Sequence, residues 1–371
     1  FVYIKMKMLN QNNLSENIQK FILKLNYKEN NFLPVQTGST DAGRELNMGF
    51  TCYALKILYT IDSNYLDDKD WMSKIYNSLE GYKQDYQDLP DYSYVDPAYY
   101  RIYKSSFYKL WIKNIIKFLL MRIKLHEVNP YFKFKEFIRA ETKQTIATMT
   151  QVFPDYVPDF RDFPSEIKDL DKFFNKLNWN SPWNAGAQVA GICVFLSTIK
   201  NNSKQIAYVD KYLQSKLLND GSYGTPDVTN SSEKVNGAMK VITGLDWLNI
   251  PVHKPNELID LCLNHKPESE GCDLVDIIYV LYKCNLQTNY REEEIKKYFK
   301  KLLISIEKHY FEDLGGFSYY LNKSQTHYYG IKITNGNKEP DIHGTTLLVW
   351  GLSMIYEVLG DPYPKWNIIK P

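Results

Sequence analysis

Six stretches of the chain share one pattern: a run of helical length, apolar on nearly every side, behind a polar or glycine-marked start. They are 47–59 (NMGFTCYALKILY), 139–152 (RAETKQTIATMTQV), 182–199, 235–248, 273–284 (DLVDIIYVLYKC) and 341–358 (DIHGTTLLVWGLSMIYEV). Each follows a more charged stretch that is apolar on one face only, at 14–25, 69–82, 165–177, 204–218, 256–265 and 292–310. Ser15 before Glu16, Pro164 before Ser165 and Pro255 before Asn256 mark helix starts. Such an alternation is what a closed ring of helical hairpins needs, with the mostly apolar helix of each pair inside and its partner outside. The pattern predicts an all-α chain, a six-hairpin α/α toroid forming one domain over 1–371, with a helical insertion at 83–138 in the second hairpin.

The connections predict where a pocket lies. Those from an inner helix to the next outer one are mostly short: 61–68, 200–203, 249–255 and 285–291. Those from an outer helix into its inner partner are long: 26–46, 83–138, 219–234 and 311–340. With roughly parallel inner helices the long loops gather around the inner-helix N-termini. Long loops in compact domains carry function, and helix N-termini offer free N–H groups to an anion.

Composition narrows the classes. With 44% hydrophobic and 15% aromatic residues the chain can fill a core. Its 45 basic and 43 acidic residues leave a formal charge of +2, with no electrostatic case for nucleic acid. Five cysteines (Cys52, Cys193, Cys262, Cys272, Cys284) form no CxxC pair, so a reducing compartment, the cytoplasm, is expected. FVYIKMKMLNQ has neither a long apolar core nor a small-residue cleavage site, so no signal peptide is expected. The opening Phe is consistent with a longer reading frame. No stretch reaches the ~20 apolar residues that cross a bilayer. In 107–125, Lys109, Lys113, Lys117 and Lys124 fall on one stripe of an otherwise apolar helix. That helix is expected to pack against the ring with its lysine edge solvated; the alternative is peripheral contact with a membrane.

Two long loops carry glycine turns, Asn219-Asp220-Gly221-Ser222-Tyr223-Gly224 and Leu314-Gly315-Gly316-Phe317-Ser318-Tyr319. Glycines permit positive φ there, and the aromatic that follows plugs the gap between hairpins. These turns, with the closing DIHGTTLLVWGLSMI, resemble repeats of the terpenoid-cyclase and protein-prenyltransferase superfamily, over about the last two hundred residues. The resemblance implies the toroid and an apolar, isoprenoid-type substrate. The prenyltransferase zinc set is incomplete: Asp273 stands at its Asp, Val275 at its Cys and Gly344 at its His, with His343 one residue early. No metal is therefore expected, nor any other cofactor. Of the cyclase DxDD motif only Asp341 remains, and Asp67-Asp68-Lys69-Asp70 lies in a short loop on the opposite face.

The inner-helix starts supply the candidate chemistry. Asp341 and His343 are the expected acid–base centre, with Tyr329 and His327 in the preceding loop; the alternative is an N-cap beside a histidine bonded to a loop carbonyl. Glu141 is a second acid and Arg139 a carboxylate or phosphate clamp, unless the two form a surface ion pair. Gln144, Trp183, Asn184, Gln188, Tyr223, Lys234, Asn236 and Lys240 are expected to bind substrate, the lysines as a basic rim. Asp273 and Asp276 read as helix caps. The leading expectation is a terpenoid-cyclase-like enzyme moving a proton on an isoprenoid or similarly apolar small molecule. The alternatives are a carbohydrate-active toroid (uronate lyase, epimerase or glycoside hydrolase) and a non-catalytic ligand-binding toroid. A dry aromatic cavity favours the first, a polar one the second.

Overall fold

The computed structural model describes residues 13–27, 30–83, 86–123, 125–268 and 270–371. The stretch read for a signal peptide, and Lys124 of the lysine stripe, lie outside them. Among the described residues the fold is all-α apart from three two-stranded antiparallel ladders in loops. In chain order the helices are α1 (Leu14–Leu25), α2 (Asp41–Glu45), α3 (Met48–Thr60), α4 (Lys69–Glu80), α5 (Pro97–Leu119), α6 (Pro130–Val152) and α7 (Ile167–Phe174). There follow α8 (Pro182–Ser197), α9 (Ser203–Gln214), α10 (Ser231–Trp247), α11 (Pro255–Leu263), α12 (Gly271–Asn285), α13 (Glu292–Glu307) and α14 (Ile342–Leu359).

The two kinds of helix bury themselves as their patterns require. In α1 only Leu14, Ile18, Phe21, Ile22 and Leu25 are buried, one stripe at helical spacing. In α14 nearly every residue from Ile342 to Tyr356 is buried. The mostly apolar helices touch in sequence: α3 packs on α6, α6 on α8, α8 on α10, α10 on α12, α12 on α14, and α14 on α3. Amphipathic helices lie against them, α4 on α3, α11 on α12 and α13 on α14. Of these helices α14 alone is long and apolar enough to cross a membrane, and its side chains are buried against the rest of the fold.

The long loops converge on the starts of the apolar helices. The loop before α3 joins the loop before α14 through a Ser39–Thr334 bridge, and Glu339 accepts the N–H groups of Thr37 (3.0 Å) and Gly38 (2.8 Å). Asp96 ends the loop before α5 and caps two helices at once, accepting from Met48 N (3.1 Å) and Ala98 N (2.9 Å). Gly221 and Gly315 take φ of +79° and +81°, and Tyr223 and Phe317 after them are fully buried plugs. At the other end, the C-terminal tail ties helix ends together. Asn367 N donates to Thr60 O (2.9 Å), Lys370 N to Gln151 Oε1 (2.6 Å), and the Trp247 and Trp350 indoles donate to Pro371 O and Ile369 O (2.9 and 2.8 Å).

Three expectations need correction. Helix α6 begins at Pro130, so Arg139 is about two and a half turns inside it rather than at an entrance. Neither Asp273 nor Asp276 caps α12, whose N-cap position is Glu270. The basic helix α5 buries Ala98, Tyr99 and Tyr103 at its start and packs Phe107 and Leu110 partly against the core, while Tyr108, Ile112, Ile116 and Leu119 are 78, 56, 54 and 72% exposed.

Candidate functional site

The third turn of α3 reads Cys-Tyr-Ala-Leu-Lys-Ile, and Lys56 there lies one turn from Tyr53 on the same face. The second half of α6 carries Lys143, and α10 carries Lys240. Lys56, Lys143 and His343 on α14 are each half-buried. Lys143 and His343 each lie within electrostatic range of both Lys56 and Lys240. Among the described residues none of the three ammonium groups has a hydrogen-bond or ion-pair partner; Lys240 Nζ stands 5.7 Å over the Trp183 ring. Lys83, Lys234 and Lys283, by contrast, each meet a carboxylate.

That concentration of charge governs the titration of its surroundings. Burial, then Lys56 and Lys240, lowers Lys143 from 10.5 to about 7. Burial lowers Lys56 as well. His343 falls to about 3, through burial first and then Lys240 and Lys56, so it is a neutral imidazole. Its ring is sandwiched between Tyr53 (4.9 Å) and Tyr319 (5.3 Å). Its Nδ1 lies 2.8 Å from Gln325 Oε1, an acceptor, so Nδ1 holds the proton and Nε2 presents a lone pair.

Three buried carboxyl groups stand on α12, on α6 and at the start of α14, and of these Asp276 lies within electrostatic range of Lys240. Asp276 is buried, its Oδ2 has no partner among the described residues, and burial raises it to about 6 while Lys240 pulls it down. Glu141 is buried and raised to about 8 by burial, with the Tyr328 hydroxyl bonded to its Oε1 and pulling the other way. Asp341 is pushed up to about 6 by burial, against the N–H groups of Gly344 (2.7 Å), Tyr319 (2.7 Å) and Gln325 (3.1 Å), which donate to its two oxygens. Asp341 is thus the N-cap of α14 and the clamp that holds the preceding loop.

The remaining expected site residues divide between this region and elsewhere. Gln144 donates to Gly49 O (3.3 Å), and Asn236 to Asp273 Oδ1 (2.8 Å), joining α10 to α12. Tyr329, with φ of +43°, packs its ring tilted against Phe137 (5.0 Å), one residue from the Glu141–Tyr328 bond. Trp183, Asn184 and Gln188 are exposed on α8. Arg139 stands over Phe173 on α7, and no hydrogen bond joins it to Glu141. Lys234 is neutralised by Asp220 (2.6 Å), Tyr223 is buried against His253 Nδ1 (3.0 Å), and His327 is exposed beside Thr326.

Sequence reasoning passed over Lys56, Lys143 and the cavity role of Asp276, because it searched helix starts. For Lys56 the available signal was a lone lysine inside the otherwise apolar α3; Lys143, in the more charged α6, carried none. Among the described residues no group of three or more His, Cys, Asp or Glu side chains could hold a metal ion, and all five cysteines are free. Two surface clefts, of about 280 Å³ beside Asp246 and Lys283 and about 380 Å³ beside Arg44 and Arg101, do not include the three lysines. Set against protein-family models, curated proteins and solved structures, the chain has no match.

Proposed function

We propose that this chain is an α/α toroid whose central space binds an anionic, polar small molecule and moves a proton on it, a sugar acid such as a uronate being the best fit. The cyclic order of contacts among α3, α6, α8, α10, α12 and α14 supports the ring. One observation carries the function: Lys56 and Lys240 act electrostatically on Lys143, all three are half-buried with no hydrogen bond or ion pair among the described residues, and the buried Asp276 carboxyl lies within range of Lys240. Burying an uncompensated cation costs several kcal/mol, and three together are stable only where an anion or ordered solvent offsets them. In this reading Lys56 and Lys240 hold the substrate's carboxylate. Asp276, poised near neutrality beside Lys240, transfers the proton, and His343 Nε2 accepts a hydrogen bond from a substrate hydroxyl. The polar lining favours a sugar acid over a hydrocarbon, while the Tyr53–His343–Tyr319 stack keeps an isoprenoid diphosphate as the second reading. Calorimetric titration with an oligogalacturonate, geranyl diphosphate and a neutral oligosaccharide separates the two. Binding of the uronate alone supports the proposal; tight binding of the diphosphate alone moves the assignment to isoprenoids, and neutral-sugar binding alone removes the lysines' role.

The second half of α5 adds a peripheral contact to the proposal. From Pro97 to Leu119 the helix contains no acidic residue, and its exposed apolar side chains alternate with Lys109, Lys113 and Lys117. An exposed apolar stripe flanked by cations suits an anionic bilayer surface. Co-sedimentation with phosphatidylserine-containing vesicles, but not with pure phosphatidylcholine, is the expected result, and Ile112→Glu with Ile116→Glu should abolish it. Equal recovery with and without vesicles would remove this contact.

A further inference from the structure

The chain between α5 and α6 leaves the body of the protein and returns. From Lys104 to Asn129 no described residue is buried, although the stretch is rich in large apolar side chains. Leu110 is the last α5 side chain packed partly against the core, and Trp111–Leu119 extends the helix about 13 Å past it. Asn114 Nδ2 donates to Glu127 O (3.1 Å) and Val128 O (3.3 Å), tying the outgoing helix to the returning chain below the tip. The tip is Phe118-Leu119-Leu120-Met121, with side chains 37, 72, 56 and 95% exposed. Successive residues of a helix are turned by about 100°, and Met121 leaves the helix with φ of +54°, so the four do not share a face. A surface laid along α5 covers the Tyr108–Ile112–Ile116–Leu119 stripe and little more. Immersing the end covers all of it, and an end that is apolar all round needs an apolar surrounding.

We infer that this hairpin end enters an anionic bilayer tip first, with Phe118, Leu119, Leu120 and Met121 in the acyl layer and Lys113, Lys117 and Arg122 at the phosphates. The inference rests on the membrane contact proposed for α5 and adds its depth and direction. Along the helix axis Lys117 and Lys113 lie about 3 and 9 Å from Leu119, close enough for lysine stems to reach back to the headgroups while the tip sinks about 5–10 Å. Charge selects the occupant. From Pro97 to Leu125 the chain holds no Asp or Glu. Near the root Arg101 and Lys104 pair with Glu45 and Asp88 (2.6 and 2.5 Å), whereas Lys109, Lys113, Lys117 and Arg122 meet no carboxylate among the described residues. A second copy of the chain would set these cations against their equivalents, which opposes a dimer through this face. An acidic soluble partner matches the charge but offers no apolar phase for the tip. An anionic bilayer supplies both.

The whole chain is labelled with a nitrobenzoxadiazole fluorophore in Met121→Cys, Ile112→Cys or Ser105→Cys, the wild type treated alike giving the background from its own cysteines. Each is mixed with phosphatidylserine-containing vesicles whose acyl chains carry bromine as a quencher. The Met121→Cys label should shift to the blue and be quenched at least threefold more than the Ile112→Cys label, with the Ser105→Cys label unchanged. Leu119→Ser, Leu120→Ser and Met121→Ser together should lower vesicle affinity at least tenfold, with a circular dichroism spectrum matching wild type. Equal quenching at Ile112→Cys and Met121→Cys, or full affinity in the triple variant, overturns tip-first entry and leaves the membrane contact standing. No response of any label and no co-sedimentation overturns both. A blue shift of the Met121→Cys label with soluble polyglutamate as large as with vesicles overturns the bilayer in favour of an acidic protein partner.

Discussion

Replacing Glu141 by Gln tests whether the buried carboxyl group bonded to the Tyr328 hydroxyl is neutral in the folded chain. The substitution keeps the shape and leaves an amide oxygen to accept from the Tyr328 hydroxyl, so it removes titration and little else. In the folded protein burial lifts Glu141 from 4.5 to about 8. Each tenfold in proton affinity is worth about 1.4 kcal/mol, so the full displacement corresponds to about 5 kcal/mol, and structural relaxation brings the expected effect to about 3–5 kcal/mol. The sign follows from linkage. Between pH 4.5 and about 8 the folded chain holds a proton that the unfolded chain has released, so rising pH destabilises the fold. The stabilisation is complete below 4.5, declines through that window and is gone above about 8. Urea unfolding followed by intrinsic fluorescence, at pH 5 and pH 9, measures it. Wild type should lose about 3–5 kcal/mol more than Glu141→Gln across that range. Parallel curves for the two proteins would show that Glu141 is ionised at neutrality and that burial does not hold its proton.

Two further outcomes probe the ends of the fold. A Cβ on Gly49 would overlap the Tyr328 hydroxyl, so Gly49→Ala should displace the loop before α14 and cost about 1–3 kcal/mol in urea unfolding; an unchanged midpoint would deny the packing of that loop on α3. Removing residues 366–371 strips the acceptors from the Trp247 and Trp350 indoles and uncovers both, which should cost at least about 3 kcal/mol. Full stability after truncation would show that the tail merely lies on the surface.

The apolar periodicity located five of the six mostly apolar helices, and the amphipathic partners, to within a few residues, because burial on nearly every side leaves a composition that surface helices do not have. It failed at the start of α6. Phe132-Lys133-Phe134-Lys135 alternates polar and apolar residues like a strand, yet forms helix, with Phe134 and Phe137 packed on the aromatic start of α5. The site was legible only in part. Asp341 and His343 stand at the start of α14, where the sequence pattern places them, whereas Lys240, like Arg139, lies about two and a half turns inside its helix. Lys56 and Lys143 look in sequence like ordinary solvated edges, and only the closeness of three separate helices sets their charges against one another. Tyr53 and Gln325, which fix the His343 ring and its tautomer, come from another helix and a distant part of the loop, contacts that no local pattern encodes.

The lysine cluster itself can be observed directly by reductive ¹³C-methylation and NMR titration of Lys143, assigned with Lys143→Arg. Its resonance should titrate near 7, against an ordinary 10.5, move upward in Lys56→Met or Lys240→Met, and move upward again when galacturonate is bound. A midpoint near 10.5 that ignores both substitutions and ligand would mean the three amines do not share a desolvated space, and the proposed anion site would have no basis.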